Sequence, residues 1–430
     1  MSDTGVLGHR PRIRPEIRIS RALLRGAVPI HLLKDPVSGR RLEVGVKEHF
    51  IIARLDGSRT LDEIGELYAR EFRVRLGEAQ WQQMLRLLYA RGLLAGGGPA
   101  EPAPAPATRS TGSPSSLLSG RVRLVADAPA LVDRLHQAIG FARRAGFLVP
   151  LLALVAALLV ALVVQLGELV RETDRLFHQP VALAAAGAVL WVSLGLHELA
   201  HGLVGRAFGG RTTEIGLRWR LLTTYLYCEV EDVQFFARRR EQIATAGAGV
   251  LMNLVFLLPC YPVWALLPAH AQARPFCAGL LLLGTLLALA NLLPLPPLDG
   301  YKMLGHAVGS VQLATDSRRF AARLARVAVR RDTGALSDYP VRLRVVYGGY
   351  ALGCAALAGA ALAATGPLCR RLLPAAESQL AGYAPALTAG AALALWAVGL
   401  VAKARRTPDT TPGTTSRTHN RTSNSNGEHG

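Results

Sequence analysis

The chain has 430 residues, half of them hydrophobic, and its positive mean hydropathy argues against an ordinary soluble protein. Several apolar runs reach the roughly 20 residues that a helix needs to cross a bilayer. The net charge of +19 comes mostly from arginines beside those runs, which favours membrane topology and anionic lipid over nucleic acid as its cause. Five scattered cysteines without a CxxC pair argue against a disulfide framework or a thiolate zinc site.

Residues 1–97 are predicted to form a small α+β domain. Two short strands and three helices are expected, at residues 27–33, 41–46, 47–55, 60–72 and 79–91. Thr60 and Glu63 have the spacing of a capping box at the start of the second helix. This order of elements predicts a winged-helix-like module.

The composition changes several times after residue 97. Residues 98–117 are rich in Gly, Pro, Ala and Ser, which predicts a flexible linker. Residues 118–145 are predicted to be a juxtamembrane segment with an amphipathic helix. Residues 146–402 form the membrane domain, and the polar residues 403–430 are expected to be a disordered cytoplasmic tail.

Six membrane spans are predicted in the membrane domain. They cover residues 146–167, 181–207, 243–266, 275–297, 345–366 and 384–402. Arg and Lys precede the first span and follow the second, fourth and sixth, so the positive-inside rule puts both termini in the cytoplasm of a bacterial-type membrane. The predicted fold class is therefore mainly α, a polytopic helical membrane bundle with a small N-terminal α+β domain.

Residues 210–232 follow the second span and are too polar to cross a bilayer. Apolar and polar residues alternate from Thr213 to Arg220, which is the period of a strand. The segment is therefore predicted to form a β-hairpin or a sheet edge beside the membrane.

A metal-ligand pattern lies near the end of the second span. His197-Glu198-Leu199-Ala200-His201 is an HExxH motif, and residues four apart share one face of a helix, so both imidazoles can reach one Zn²⁺. Ionisable residues inside an apolar helix are costly unless they are paired or bound to a metal. These residues therefore predict a metal site, with Glu198 placed to take a proton from water.

A third ligand is expected on another segment at the same depth. Asp299 ends the run from Asn291 to Gly300, at the cytoplasmic end of the fourth span, where the second span also ends. The prolines between Asn291 and Asp299 interrupt the helix, which a membrane protein tolerates only around buried or water-filled sites. His306 is a competing ligand, although it lies further towards the cytoplasm.

Asn253 and Asn291 are amides within apolar spans. Each can hydrogen-bond a substrate backbone or an oxyanion, or instead join two helices. The residue pattern leaves both interpretations open.

Together these residues resemble the site-2 protease family of intramembrane metalloproteases, the M50 peptidases. The resemblance covers roughly residues 181–305 and is carried by HELAH at 197–201, GVLMN at 249–253 and NLLPLPPLDG at 291–300. It implies zinc bound by His197, His201 and Asp299, Glu198 as the general base, and Asn291 and Asn253 in substrate positioning. The family often has proline after the glycine of its GPxxN element, where this chain has Val250.

Residues 27–95 resemble PqqD-type peptide-recognition modules, chiefly through the sequence LDGSRTLDEI at 55–64. That resemblance implies a leader peptide bound at a sheet edge by strand addition.

The combined prediction is an intramembrane zinc endopeptidase that acts near the cytoplasmic face, on a peptide or membrane-protein substrate. Maturation or export of a ribosomally made peptide, with a transporter partner, is the expected setting.

Two rival functions fit parts of the sequence. In the first, the chain is a non-cleaving zinc-containing membrane subunit that binds a peptide and assists its export. In the second, it is a membrane-anchored DNA-binding regulator whose recognition helix carries Gln80, Gln82, Gln83 and Arg86. The position of most charge beside the spans speaks against nucleic acid as a partner.

Overall fold

The computed structural model describes residues 6–95, 119–220, 223–330 and 339–372. These residues are mostly helical, as predicted. Those up to Asp316 form one compact unit, and those from Ser317 onward form a second. The predicted linker at 98–117, the sixth span at 384–402 and the tail at 403–430 lie outside the described residues.

The N-terminal region is a four-stranded antiparallel sheet with three helices. Its elements are β1 (Arg18–Ile19), β2 (Leu23–Arg25), β3 (Val28–Lys34), β4 (Arg41–Gly45), α1 (Val46–Ile52), α2 (Leu61–Phe72) and α3 (Glu78–Ala90). β3 is central, with β4 on one side and β1 and β2 on the other. Leu33, Leu61, Ile64, Trp81 and Leu88 fill the core between sheet and helices.

The three helices and two of the strands were predicted, and the Thr60–Glu63 capping box is present. β1 and β2 were missed. They contain two and three residues, which is too short for an alternating pattern to appear in a sequence. Their pairing depends on β3, which lies further along the chain.

Five helical segments are long and apolar enough to cross a membrane. They are Ala145–Val164, Pro180–Ala207, Arg239–Leu266, Ala273–Ala290 and Val341–Ala361. They match the first five predicted spans. We name the helices α5 (Ala145–Val164), α7 (Pro180–Ala207), α8 (Arg239–Leu257), α9 (Cys260–Leu266), α10 (Ala273–Ala290) and α13 (Val341–Leu372).

The fourth span is shorter than predicted. α10 ends at Ala290 rather than near residue 297, because the proline-rich segment after it cannot continue a helix. A new helix, α11 (Asp299–Val308), begins at the aspartate. α12 (Leu313–Arg330) follows it.

Two amphipathic helices lie beside the spans. The first, α4 (Ala128–Ala138), was predicted but ends earlier than expected. The second, α6 (Leu166–Phe177), was missed, since most of its residues lie between the first two predicted spans, where no helix was predicted. Leu169 and Leu176 on α6 are fully buried, Leu176 against α10, so tertiary contacts favour a helix here.

The predicted hairpin is present as β6 (Arg211–Arg220) and β7 (Thr223–Glu231), with Ile215 opposite Cys228. An unexpected strand, β5 (Ser119–Arg123), pairs with β6 on the side away from β7. β7 is therefore an edge strand of this three-stranded sheet.

In the second unit, Phe320, Tyr339 and Tyr347 form an aromatic cluster between α12 and α13.

Candidate metal centre

The HExxH motif lies in the second half of α7, and two faces of this helix contact different elements of the structure. On one face, Ser193, His197 and His201 meet Asn253, Gly249 and Thr245 of α8. The Ser193 hydroxyl donates to Asn253 Oδ1 at 3.1 Å, and His201 Nδ1 donates to the Thr245 carbonyl at 2.7 Å. The contacts advance by four residues along α7 and retreat by four along α8, as expected for closely packed antiparallel helices.

Gly249 makes this packing possible at the first histidine. A Cβ atom at this position would lie 2.4 Å from Cε1 and Nε2 of His197, well inside van der Waals contact. Only a residue without a side chain lets α8 approach the imidazole this closely. The first residue of the GVLMN motif therefore lies directly against a candidate ligand.

Asp299 reaches the histidines because the chain reverses after α10. The amide of Gly300 donates to the Asn291 carbonyl at 2.8 Å and closes the loop between the two residues. A Cβ on Gly300 would lie 2.0 Å from the Leu292 carbonyl oxygen, so this loop also requires glycine. As a result, the first residue of α11 lies level with the end of α10.

The two imidazoles and the carboxylate converge on one point. His197 Nε2 lies 2.8 Å from Asp299 Oδ2, His201 Nε2 lies 3.2 Å from the same oxygen, and the two Nε2 atoms are 3.2 Å apart. All three side chains are buried. This group could hold a metal ion.

The chemistry of the donors fits a small divalent cation. Donors on a tetrahedron with bonds of about 2.0–2.1 Å lie about 3.3–3.4 Å apart, close to the observed separations. The bond from His201 Nδ1 to Thr245 fixes a tautomer whose Nε2 carries a lone pair. Two imidazoles and a carboxylate this close together in a buried site are stabilised by a positive charge between them, which a metal ion or a shared proton can supply.

Lys302 contacts the other oxygen of the same carboxylate. Its Nζ donates to Asp299 Oδ1 at 2.9 Å, which leaves Oδ2 to face the histidines. Burial raises the pKa of Asp299, but the two imidazoles and the Lys302 ammonium outweigh it and hold this pKa below its ordinary value. The carboxyl group is therefore ionised, as a metal ligand must be.

Glu198 lies on the second face of α7, towards β7. Its Oε2 accepts the backbone N–H of Cys228 at 3.0 Å. Glycines on this face give the strand room, since Cβ atoms on Gly195, Gly202 and Gly205 would meet Leu226, Cys228 and Val230 at 2.6–3.1 Å. The HExxH motif thus directs its histidines to α8 and its glutamate to an edge strand.

The two asparagines occupy different environments. Asn291 Nδ2 lies 3.4 Å from His197 Nε2, at the border of the donor cluster formed by His197, His201 and Asp299. Asn253 is buried and bonded to Ser193, which supports the helix-joining interpretation. Its Nδ2 has no partner among the described residues.

His306, the competing ligand, is absent from the cluster. Burial and the nearby Lys302 ammonium lower the pKa of His306 to about 4.

Sequence reasoning missed Thr245, Lys302 and the Cys228 amide. Thr245 contributes a backbone carbonyl, and any residue has one, so no side-chain signal could identify it. Lys302 is three residues after Asp299, a spacing that brings two side chains together on a helix, and this signal was available. The Cys228 thiol lies outside the group formed by His197, His201 and Asp299, and burial and Glu198 raise the pKa of Cys228 to about 12.

Comparison with family models, curated proteins and solved structures found no match to this chain.

The contact between Gly249 and His197 yields a first prediction. Gly249→Ala should displace the imidazole and weaken metal binding about 10- to 100-fold, since overpacking a tight contact costs roughly 1–3 kcal/mol. The matched control is Gly247→Ala, whose Cβ would make only ordinary contact with Met303 at 3.4 Å. Competition with a chromogenic chelator measures both affinities, and equal affinities in the two variants would contradict this geometry.

The ion pair at Asp299 yields a second prediction. Lys302→Met should lower metal affinity about 10- to 100-fold, because partners of a metal ligand fix its orientation. The Lys302 side chain is 52% exposed, so its loss should leave the fold intact. Lys47→Met, at an exposed lysine of the N-terminal region, is the control. Unchanged metal affinity in Lys302→Met, measured by the same competition, would show that the lysine does not support the site.

Proposed function

We propose that the protein is an intramembrane zinc endopeptidase, similar to the site-2 proteases. The observation that carries this proposal is the pairing of a buried His197–His201–Asp299 cluster with Glu198 on the next face of the same helix. A purely structural metal site has no need of an adjacent carboxylate held outside the donor set. Catalytic zinc sites combine three protein ligands with such a base.

Zinc is the proposed metal because two imidazoles and one carboxylate form a donor set typical of catalytic zinc. When bound, zinc would supply a Lewis acid that polarises the scissile carbonyl and makes a water molecule more acidic. His197, His201 and Asp299 would hold it, and Lys302 and the Thr245 carbonyl would keep two of these ligands oriented.

Glu198 is the proposed general base. Its carboxylate takes a proton from the attacking water and delivers that proton to the nitrogen of the leaving amine. The Cys228 amide fixes Oε2, so the carboxylate is held at a defined angle to the histidines. Asn291, whose Nδ2 lies 3.4 Å from His197 Nε2, is placed to donate a hydrogen bond to the substrate carbonyl oxygen.

The substrate is proposed to bind in an extended conformation, because a helix hides its carbonyl groups within its own hydrogen bonds. β7 offers an edge for such a segment, next to Glu198. Main-chain pairing to a strand edge binds peptides with little dependence on their sequence. Asn253 contributes mainly by joining α7 to α8.

The donor cluster lies where α7 and α10 end, and arginine-rich segments follow both helices. We propose that this end of the bundle faces the cytoplasm, with both termini on that side.

The N-terminal domain is proposed to bind the leader of a peptide substrate at β4, which pairs only with β3 among the described residues. A cavity of about 320 Å³ with apolar and arginine side chains adjoins this strand. A transporter is the expected partner in export.

Glu198→Gln tests the proposal most sharply. This variant should keep one zinc per chain, because Glu198 is outside the donor cluster, and should lose at least about 100-fold in cleavage rate. The probe is fluorescein-labelled casein, an unfolded protein, offered to the full chain in detergent micelles. The control is Glu71→Gln, at an exposed glutamate on α2, which should keep full activity.

Cleavage that persists in Glu198→Gln would remove the glutamate from the mechanism. Stoichiometric zinc binding by the unaltered protein without cleavage of casein or of membrane-protein reporters would instead support the non-cleaving subunit. Loss of zinc from Glu198→Gln would mean that the donor cluster is wrongly assigned.

A further inference from the structure

The N-terminal domain contacts both segments that complete the candidate metal centre. One contact is made to the residues that end β7, and the other to the turn that follows α11. β7 provides the amide that holds Glu198, and α11 begins with Asp299. The two contacts therefore connect the domain to the proposed base and to a proposed ligand.

Lys34, the last residue of β3, makes the first contact. Its Nζ donates to Glu231 Oε2 and to Asp232 Oδ1, both at 2.6 Å, and Arg18 lies 3.4 Å from the other oxygen of Asp232. The side chains of Lys34 and Asp232 are 7% and 4% exposed. Removing one partner of such a buried pair leaves the other charge with one counter-charge fewer, which is destabilising.

Asp232 is also the point where β7 ends. Its φ of +69° is unusual for a residue other than glycine, so the chain turns sharply directly after the strand. Cys228 lies four residues earlier, on the same edge strand. The ion pair with Lys34 therefore fixes the end of a strand whose one sheet neighbour, among the residues that the structure describes, is β6.

The second contact is made by main-chain atoms. The Leu24 amide donates to the Gly309 carbonyl at 2.7 Å, and the Val311 amide donates to the Leu24 carbonyl at 3.1 Å. This pairing extends the sheet of the N-terminal domain by a short parallel bridge at Ser310. Gly309 ends α11, so the domain also fixes the C-terminal end of the helix that starts with Asp299.

We propose that the N-terminal domain is a positioning element of the active site, and that Lys34 is a positioning residue that acts on Glu198 through Asp232 and β7. An edge strand paired on one side moves more easily than a central one, because fewer hydrogen bonds restrain it. Without the ion pair, β7 moves away from α7 and the Cys228 amide no longer holds the glutamate. A peptide captured by the domain is thereby kept at a fixed distance from the site that would cleave it.

The test uses four variants of the full chain: Lys34→Met, Asp232→Asn, the two combined, and Lys47→Met as the control. Hydrogen exchange of the β7 amides, Cys228 and Val230 above all, is measured in detergent micelles by mass spectrometry. We expect exchange to be at least about tenfold faster in the first three variants and unchanged in the control. Lys34→Met removes the contacts to Glu231 and Asp232, and Asp232→Asn removes those to Lys34 and Arg18, so the shared Lys34–Asp232 contact should make the two effects less than additive in the double variant.

A second measurement separates positioning from general loss of structure, and it rests on the proposed function. With labelled casein, Lys34→Met should lower kcat about tenfold while KM and zinc content stay unchanged. A loss of zinc in parallel with activity would indicate damage to the fold and overturn the positioning role.

The hydrogen-exchange experiment does not require proteolysis, so it distinguishes failure of this inference from failure of the proposed function. Unchanged protection of β7 in both Lys34→Met and Asp232→Asn would refute the inference even if the protein is a protease. Additive effects of the two changes would also refute it. Faster exchange without any casein cleavage by the unaltered protein would keep the coupling and reject the endopeptidase.

Discussion

The arrangement depends on three electron-pair donors that face one another inside the protein. His197, His201 and Asp299 approach within 2.8–3.2 Å, an arrangement that a positive charge at their centre would stabilise. The surrounding structure serves to keep them there. Gly249 lets α8 lie against one imidazole, Thr245 orients the other, and the loop closed by Gly300 returns the carboxylate to the level of the histidines.

α7 connects this cluster to the rest of the molecule. One face packs on α8 through Ser193, His197 and His201, and the face with Glu198 lies against β7. Small residues make both contacts possible, because they allow backbones to approach closely. The strand leads in turn to Asp232 and to the N-terminal domain. The candidate metal ligands and the proposed base are therefore held by different neighbours, so a change in one neighbour is expected to alter the proposed chemistry without releasing metal.

Much of this organisation was predictable from the sequence, since its signals are local. The HExxH spacing, the apolar runs and the alternation from Thr213 to Arg220 each reflect a helical or strand period. Topology alone put Asp299 at the depth of His201. The missed features depend on distant segments. α6 is helical because it packs on α10, β2 because it pairs with β3, and Lys34 meets Asp232 almost 200 residues later, through contacts that no local pattern encodes.

X-ray absorption at the zinc edge of the metal-loaded protein tests the central claim most directly. The account predicts one zinc per chain with four nitrogen or oxygen neighbours at about 2.0–2.1 Å and the outer-shell scattering of two imidazoles. Sulfur at about 2.3 Å would assign the metal to cysteines instead. Six oxygen neighbours without imidazole scattering would mean that His197, His201 and Asp299 do not form a metal site.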